Sequence, residues 1–156
     1  MVIRDKKILG NKTAYDLMKE GVEEILVCDM DSIITGRTNM KVYNDLAKFF
    51  EFIAFNLVYN IGELVDSIVS GASKVVVSPD VSEATLLSML EFSQNIVMPN
   101  SEKFQFFNRS GGKYAMTYGT ESGIKFSLIY NIGPWISKEN YTNIDNFPME
   151  LRHFVR

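Results

Sequence analysis

Asp29-Met30-Asp31 is the place in this chain where residue types and spacing offer chemistry. Two carboxylates at i and i+2 on an extended segment point the same way, and the apolar run Ile25-Leu26-Val27-Cys28 before them predicts a buried strand ending there. At a strand's carboxyl end both would face the mouth of a barrel or crevice. Such a pair acts as general acid and base, or holds a divalent cation. Acidic residues also end strands for a plainer reason, because they cap the helix that follows and solvate the loop. Both readings are open at this level.

The elements that must position the pair follow a regular rhythm. Ile25-Leu26-Val27-Cys28, Phe52-Ile53-Ala54-Phe55, Val75-Val76-Val77 and Ile96-Val97-Met98 are too uniformly apolar for a sheet wetted on one face. They predict parallel strands covered on both sides, whose chemistry lies in the loops after their carboxyl ends. Between them run helical patterns. Asn11 is placed to cap a helix carrying Ala14, Leu17, Met18 and Val22, with Gly21 to end it. Met40, Tyr43, Leu46, Ala47 and Phe50 make a second stripe, and Ile61, Leu64, Val65, Ile68 and Val69 a third, closed by Gly71. Ser82 caps a fourth, with Leu86, Leu87 and Leu90. Strand, helix, strand, helix is the order of right-handed βαβ units.

After Asn100 the pattern changes. Phe104-Gln105-Phe106-Phe107 and Lys113-Tyr114-Ala115-Met116-Thr117-Tyr118 flank Asn108-Arg109-Ser110-Gly111-Gly112, and a further run spans Ile124 to Tyr130. Alternation with glycine-bearing connectors predicts antiparallel hairpins, so Ser110-Gly111-Gly112-Lys113 reads as a hairpin turn. The expected organisation is residues 1–100 as βα units and 101–156 as a β-hairpin and aromatic extension packed on the same domain.

Composition narrows the functional classes. A chain of 156 residues with 46% hydrophobic and 22% charged residues suits one globular domain. A formal charge of -3 with no Lys/Arg run gives no footprint for nucleic acid. The single Cys28 has no disulfide partner within the chain, no apolar run reaches the ~18 residues of a membrane span, and the residues from Met1 have no signal-peptide layout. These features lead us to expect a cytoplasmic protein with no membrane partner. His153 is the sole histidine, which argues against a histidine-rich zinc site and leaves no metal ligand assigned, Cys28 lacks an evident base, and no cofactor is implied.

The segment from Val27 to Asn39, with Asp29, Asp31, Gly36 and Asn39 at its marked positions, resembles the second-strand signature of the histidine-biosynthesis (βα)8 barrels. These are the phosphoribosylformimino aminoimidazole carboxamide ribotide isomerase and the cyclase subunit of imidazole glycerol phosphate synthase. The likeness continues through Met40 to Lys48 and through Ser70 to Ser78, and covers roughly Thr13 to Leu90. It implies a partial TIM-barrel-like α/β fold, a half-barrel of parallel βα units with a C-terminal antiparallel β extension, since eight units need about 250 residues.

The chain departs from the family where the family works. Its glycine-rich phosphate loop after strand three corresponds to Phe55-Asn56-Leu57-Val58-Tyr59, whose side chains obstruct a close backbone approach. Its catalytic aspartates of strands one and five fall near Val2 and near Pro99-Asn100, none of them an acid. The resemblance therefore implies a degenerate relative that binds a small phosphorylated or anionic metabolite without the family's activity, with Asp29, Asp31, Asn56, Ser78 and Asn100 at the strand-end face. The alternatives are a sugar-phosphate isomerase or lyase using Asp29 or Asp31 as catalytic base, and a noncatalytic scaffold or partner-binding protein. A half-barrel leaves strand edges and an apolar inner face to be covered, which predicts a homodimer with a contribution from the hairpins.

Overall fold

A computed structural model describes the backbone of residues 1–9, 12–99, 102–119, 125–132 and 135–143, with side chains for 1–8, 12–99 and 102–116. The chain opens with a hairpin, β1 (Val2–Arg4) and β2 (Lys7–Leu9), and continues through α1 (Ala14–Lys19), β3 (Glu24–Asp29), α2 (Met30–Thr35) and α3 (Met40–Ala47). Next come β4 (Glu51–Val58), α4 (Ile61–Val69), β5 (Lys74–Val77), α5 (Glu83–Phe92), β6 (Ile96–Pro99) and α6 (Phe104–Arg109). The antiparallel end consists of β7 (Tyr114–Gly119), β8 (Lys125–Ile132) and β9 (Trp135–Asn143).

The strands form one sheet in the order β2-β1-β3-β4-β5-β6-β7-β8-β9, parallel from β1 through β3 to β7 and antiparallel at both ends. The sheet is open, since neither β2 nor β9 has a further neighbour among the described residues. Successive parallel strands step in one direction, and right-handed crossovers then bring their helices to the same face. On that face Tyr43, Leu46, Leu64, Leu86, Met89 and Phe107 bury against strand residues such as Val27, Phe52, Ala54 and Val75. The other face collects Val2, Cys28, Met30, Ile53, Phe55, Leu57, Val76, Val97 and Met116. This alternation across strands that are apolar throughout is what a sheet covered on both sides requires.

The nine buried residues of this inner cluster are at most 9% exposed, and Leu26, Ile33 and Tyr114 pack beside them partly buried. No helix among the described residues is long and apolar enough to cross a membrane.

Local signals place most helices where the spacing predicts. Asn60 caps α4 by accepting from the Glu63 amide at 3.0 Å, and Ser82 caps α5 by accepting from the Thr85 amide at 3.1 Å. Three expectations are corrected. The cap of α1 is Thr13, which forms a reciprocal capping box with Asp16, while Asn11 lies outside the described residues and Val22 beyond the helix end. Phe104-Gln105-Phe106-Phe107 is helix rather than strand, because β7 pairs parallel to β6 and a parallel neighbour needs a crossover. Phe104 and Phe107 then share a helix face, and Phe107 is buried in the core. Residues 108–112 accordingly form no hairpin turn. Asn108 and Arg109 end α6 and residues 110–113 carry the chain into β7, with Gly111 at φ 97° and Gly112 so close to Phe107 that a Cβ would lie 2.3 Å from its ring. The β7–β8 hairpin is formed as expected, Tyr114 facing Tyr130 and Gly119 facing Lys125.

Gly71, after α4, combines φ 115° with a contact in which an added Cβ would lie 2.5 Å from Ala47 Cβ on α3. Gly71→Ala is expected to cost about 2 kcal/mol through backbone strain and overpacking together. The check is equilibrium urea unfolding, read as a lower midpoint at unchanged slope.

Candidate functional site at the strand ends

Asp29 is the last residue of β3 and the cap of α2, the helix that begins immediately after it. Its carboxylate is 0% exposed. Oδ1 accepts from the Ser32 backbone N–H at 3.0 Å and from Asn39 Nδ2 at 2.8 Å, and Oδ2 accepts from the Tyr43 hydroxyl at 2.8 Å. Asn39 precedes α3 and Tyr43 lies one turn into it, so one carboxylate ties the strand to both following helices. Burial outweighs these donors and pushes the Asp29 carboxyl above its ordinary value, with the neighbouring Asp31 charge a smaller push the same way.

Asp31 is not on an extended segment. It sits in the first turn of α2, so the expectation that both carboxylates point alike from a strand is corrected; the helix begins one residue too early. Asp31 instead reaches the β1–β2 turn, where Asp5 at φ 53° and Lys6 at φ 59° adopt the left-handed geometry of a type I′ hairpin. Its two oxygens accept from the Asp5 and Lys6 backbone N–H groups, each at 2.8 Å. Parallel pairing of Ile3 with Asp29 brings that turn within reach. Adjacent amides in such a turn make a cradle for an anion, and here the anion is the chain's own carboxylate. Burial tends to raise the Asp31 carboxyl, but the Lys6 and Asp5 amides, Asn39 and the Lys6 charge together hold it below its ordinary value. Asn39 Nδ2 lies 3.4 Å from Asp31 Oδ2 and so links the two aspartates.

The remaining expected site residues are less close to one another in function than in sequence motif. Asn56 is 1% exposed and faces α4, donating from Nδ2 to Ser67 Oγ at 2.9 Å, while Ser67 donates to the Glu63 carbonyl at 2.8 Å. Its amide also acts on the Tyr43 hydroxyl, which joins it to Asp29 through the helix-side core rather than at an open rim. Next to it Leu57 takes φ 49°, where the β4–β5 register shifts between Phe55 and Val58. Ser78 is buried, its N–H donating to the Val58 carbonyl at 2.9 Å and its Oγ accepting from the Asp80 amide at 3.2 Å. It serves its own turn after β5. Asn100 lies outside the described residues.

The loop after β4 is closed internally too. Glu63 accepts from the Tyr59 N–H at 2.8 Å and from Asn60 Nδ2 at 2.9 Å. Phe55 is buried on the inner face and Tyr59 is largely exposed. Among the described residues no three His, Cys, Asp or Glu side chains gather closely enough to hold a metal ion.

Sequence reasoning missed the partners that define this cluster. In the sequence Asn39 is one position of a motif with no role of its own, and Tyr43 is one member of an apolar stripe. A tyrosine one turn after an Asn, and fourteen residues after a buried Asp, is a signal visible only once the strand and helix are docked. No family model, curated protein or solved structure matches the chain.

Asp31→Ala should release the hairpin turn, with faster hydrogen exchange at the Asp5 and Lys6 amides and a loss of about 1 kcal/mol, discounted for partial solvent access. The contribution has a defined pH sign. The folded Asp31 carboxyl lies below the ordinary value of 3.8, so its stabilisation is present above 3.8 and is lost as pH falls through the lower folded value. Exchange rates in the turn measured against pH for both proteins check this.

Proposed function

We propose that this chain is a noncatalytic half-barrel scaffold, a divergent relative of the histidine-biosynthesis barrels that keeps their strand-two motif as a structural clasp. The observation that carries the reading is the engagement of both motif carboxylates by internal donors: the Ser32 amide, Asn39 and Tyr43 on Asp29, and the Asp5 and Lys6 amides on Asp31. A general base must reach the proton it abstracts, and a fully buried carboxylate facing three donors has no oxygen aimed at a substrate. An anionic ligand meets the same obstacle, because strand-end amides that would bind phosphate donate to Asp29, Asp31 and Glu63 instead. These same carboxylates would repel a phosphate. Binding of a partner protein through the outer surface is compatible with this rim.

A panel of sugar phosphates and inorganic phosphate, assayed for turnover and for thermal stabilisation, tests the proposal. No turnover and no saturable rise in Tm is the expected result. Saturable stabilisation that is lost in Ser78→Ala would restore the metabolite-binding reading, and turnover abolished by Asp29→Asn would restore the enzyme.

A further inference from the structure

The turns that lead into β3, β4, β5, β6 and β7 lie together at the end of the sheet opposite Asp29, because these strands run the same way. The crossover helices run back against the strands, so α3, α4 and α5 end there. Each of the three leaves a large apolar side chain in water: Phe49 just after α3 is 53% exposed, Val69 at the end of α4 is 69% exposed and Phe92 at the end of α5 is 48% exposed. Sheet order sets them in a row, Phe49, Val69, Phe92, with neighbours about 10 Å apart, one helix diameter.

The two ends of this row carry opposite charge. The turn into β3, beyond Phe49, holds the exposed Glu23 and Glu24; the end of α6 and the turn into β7, beyond Phe92, hold the exposed Arg109 and Lys113. None of these four makes an ion pair among the described residues, whereas Glu20 is taken by Lys12 and Lys19 lies over the Tyr15 ring. Single exposed apolar residues are ordinary on a surface. Three in successive turns, bounded by unpaired charges, have the anatomy of an interface with an apolar centre and a polar rim.

We propose that this end of the sheet is the contact surface for a second copy of the chain, related to the first by a two-fold axis that crosses the row at Val69. Such an axis reverses the row. Val69 then meets the partner's Val69, Phe49 meets the partner's Phe92, and the acidic end meets the basic end, the last two contacts being made twice as an isologous interface requires. A copy turned about the direction of the row would instead set Glu23 on Glu23 and Lys113 on Lys113. In the middle turns Lys48 and Glu51 flank Phe49 and Glu91 precedes Phe92, so Lys48 comes opposite Glu91 and neither sign dominates. Anionic lipid or nucleic acid needs a basic patch, which this mixed surface does not offer. The contact lies away from the strand edges and the inner face, and it does not depend on the roles of Asp29 and Asp31.

Sedimentation equilibrium of the full chain tests the proposal. The expected result is a dimer that weakens as salt is raised. Phe49→Glu, at a largely exposed position, should leave the circular dichroism spectrum unchanged and give a monomer. Glu23→Lys and Lys113→Glu should each raise the dimer Kd roughly tenfold or more, since each sets like charges together twice. Mixing those two variants should restore the dimer, because both charged contacts then join opposite signs. A wild-type chain that stays monomeric at high micromolar concentration would overturn the proposal. So would a dimer that withstands Phe49→Glu or is indifferent to both charge reversals, which would put the contact at a strand edge or on the inner face. A mixture of the two charge variants that associates no better than either alone would defeat the two-fold arrangement.

Discussion

The carboxylate of Asp29 is the junction on which this end of the molecule depends. It closes β3, caps α2 and holds α3 through Asn39 and Tyr43, so one group sets where a strand stops and where two helices begin. Removing a charge of this kind from water is costly, and only a full set of donors makes it tolerable. The donors come from a short stretch of chain, Ser32 to Tyr43, which is why the turn between strand and helices is so tightly defined. Gly36, in the left-handed conformation at φ 68°, ends α2 and lets the chain return in time for Asn39 to reach back.

Asp31 extends the same clasp in the other direction. Lys6 at φ 59° is a strained position for a long side chain, and the hairpin turn that imposes it presents two adjacent amides to a carboxylate on the neighbouring α2. Through Asn39 the two aspartates become one network linking β1, β2, α2 and α3. The loop after β4 repeats the solution with Glu63 in the acceptor's role. At the β1–β2 turn, the start of α2 and the loop after β4, backbone amides of the kind that bind anions in parallel α/β folds thus meet the protein's own acids.

The inner face of the sheet is an apolar cluster. Phe55 and Leu57 point into an apolar cluster with Val76, Val97 and Met116, and Met30 from α2 joins them. Bulk on that face, which made a phosphate loop implausible at Phe55 to Tyr59, is packing material. The helix-side face is tighter still, with Tyr43 meeting Phe52 edge-on at 5.2 Å and Gly71 admitting α3 against the end of α4.

Short-range physics made much of this legible from sequence. The uniformly apolar strands, the stripe from Ile61 to Val69 and the cap at Ser82 depend on contacts within a few residues, and the parallel α/β arrangement follows from their order. The helical state of Phe104 to Arg109 was not legible, because its aromatic alternation also fits a strand and only the parallel docking of β7 on β6 decides between them. Nor was the fate of the acidic pair. Its two possible meanings, reactive rim or helix cap, differ in what lies opposite, and those partners are set by sheet register across 25 and 26 residues and by the docking of α3 across 14. Sequence alone determined which residues carry charge and which segments are apolar. Tertiary structure decided which donors meet each carboxylate, since hydrogen bonds between distant segments exist only after those segments are packed.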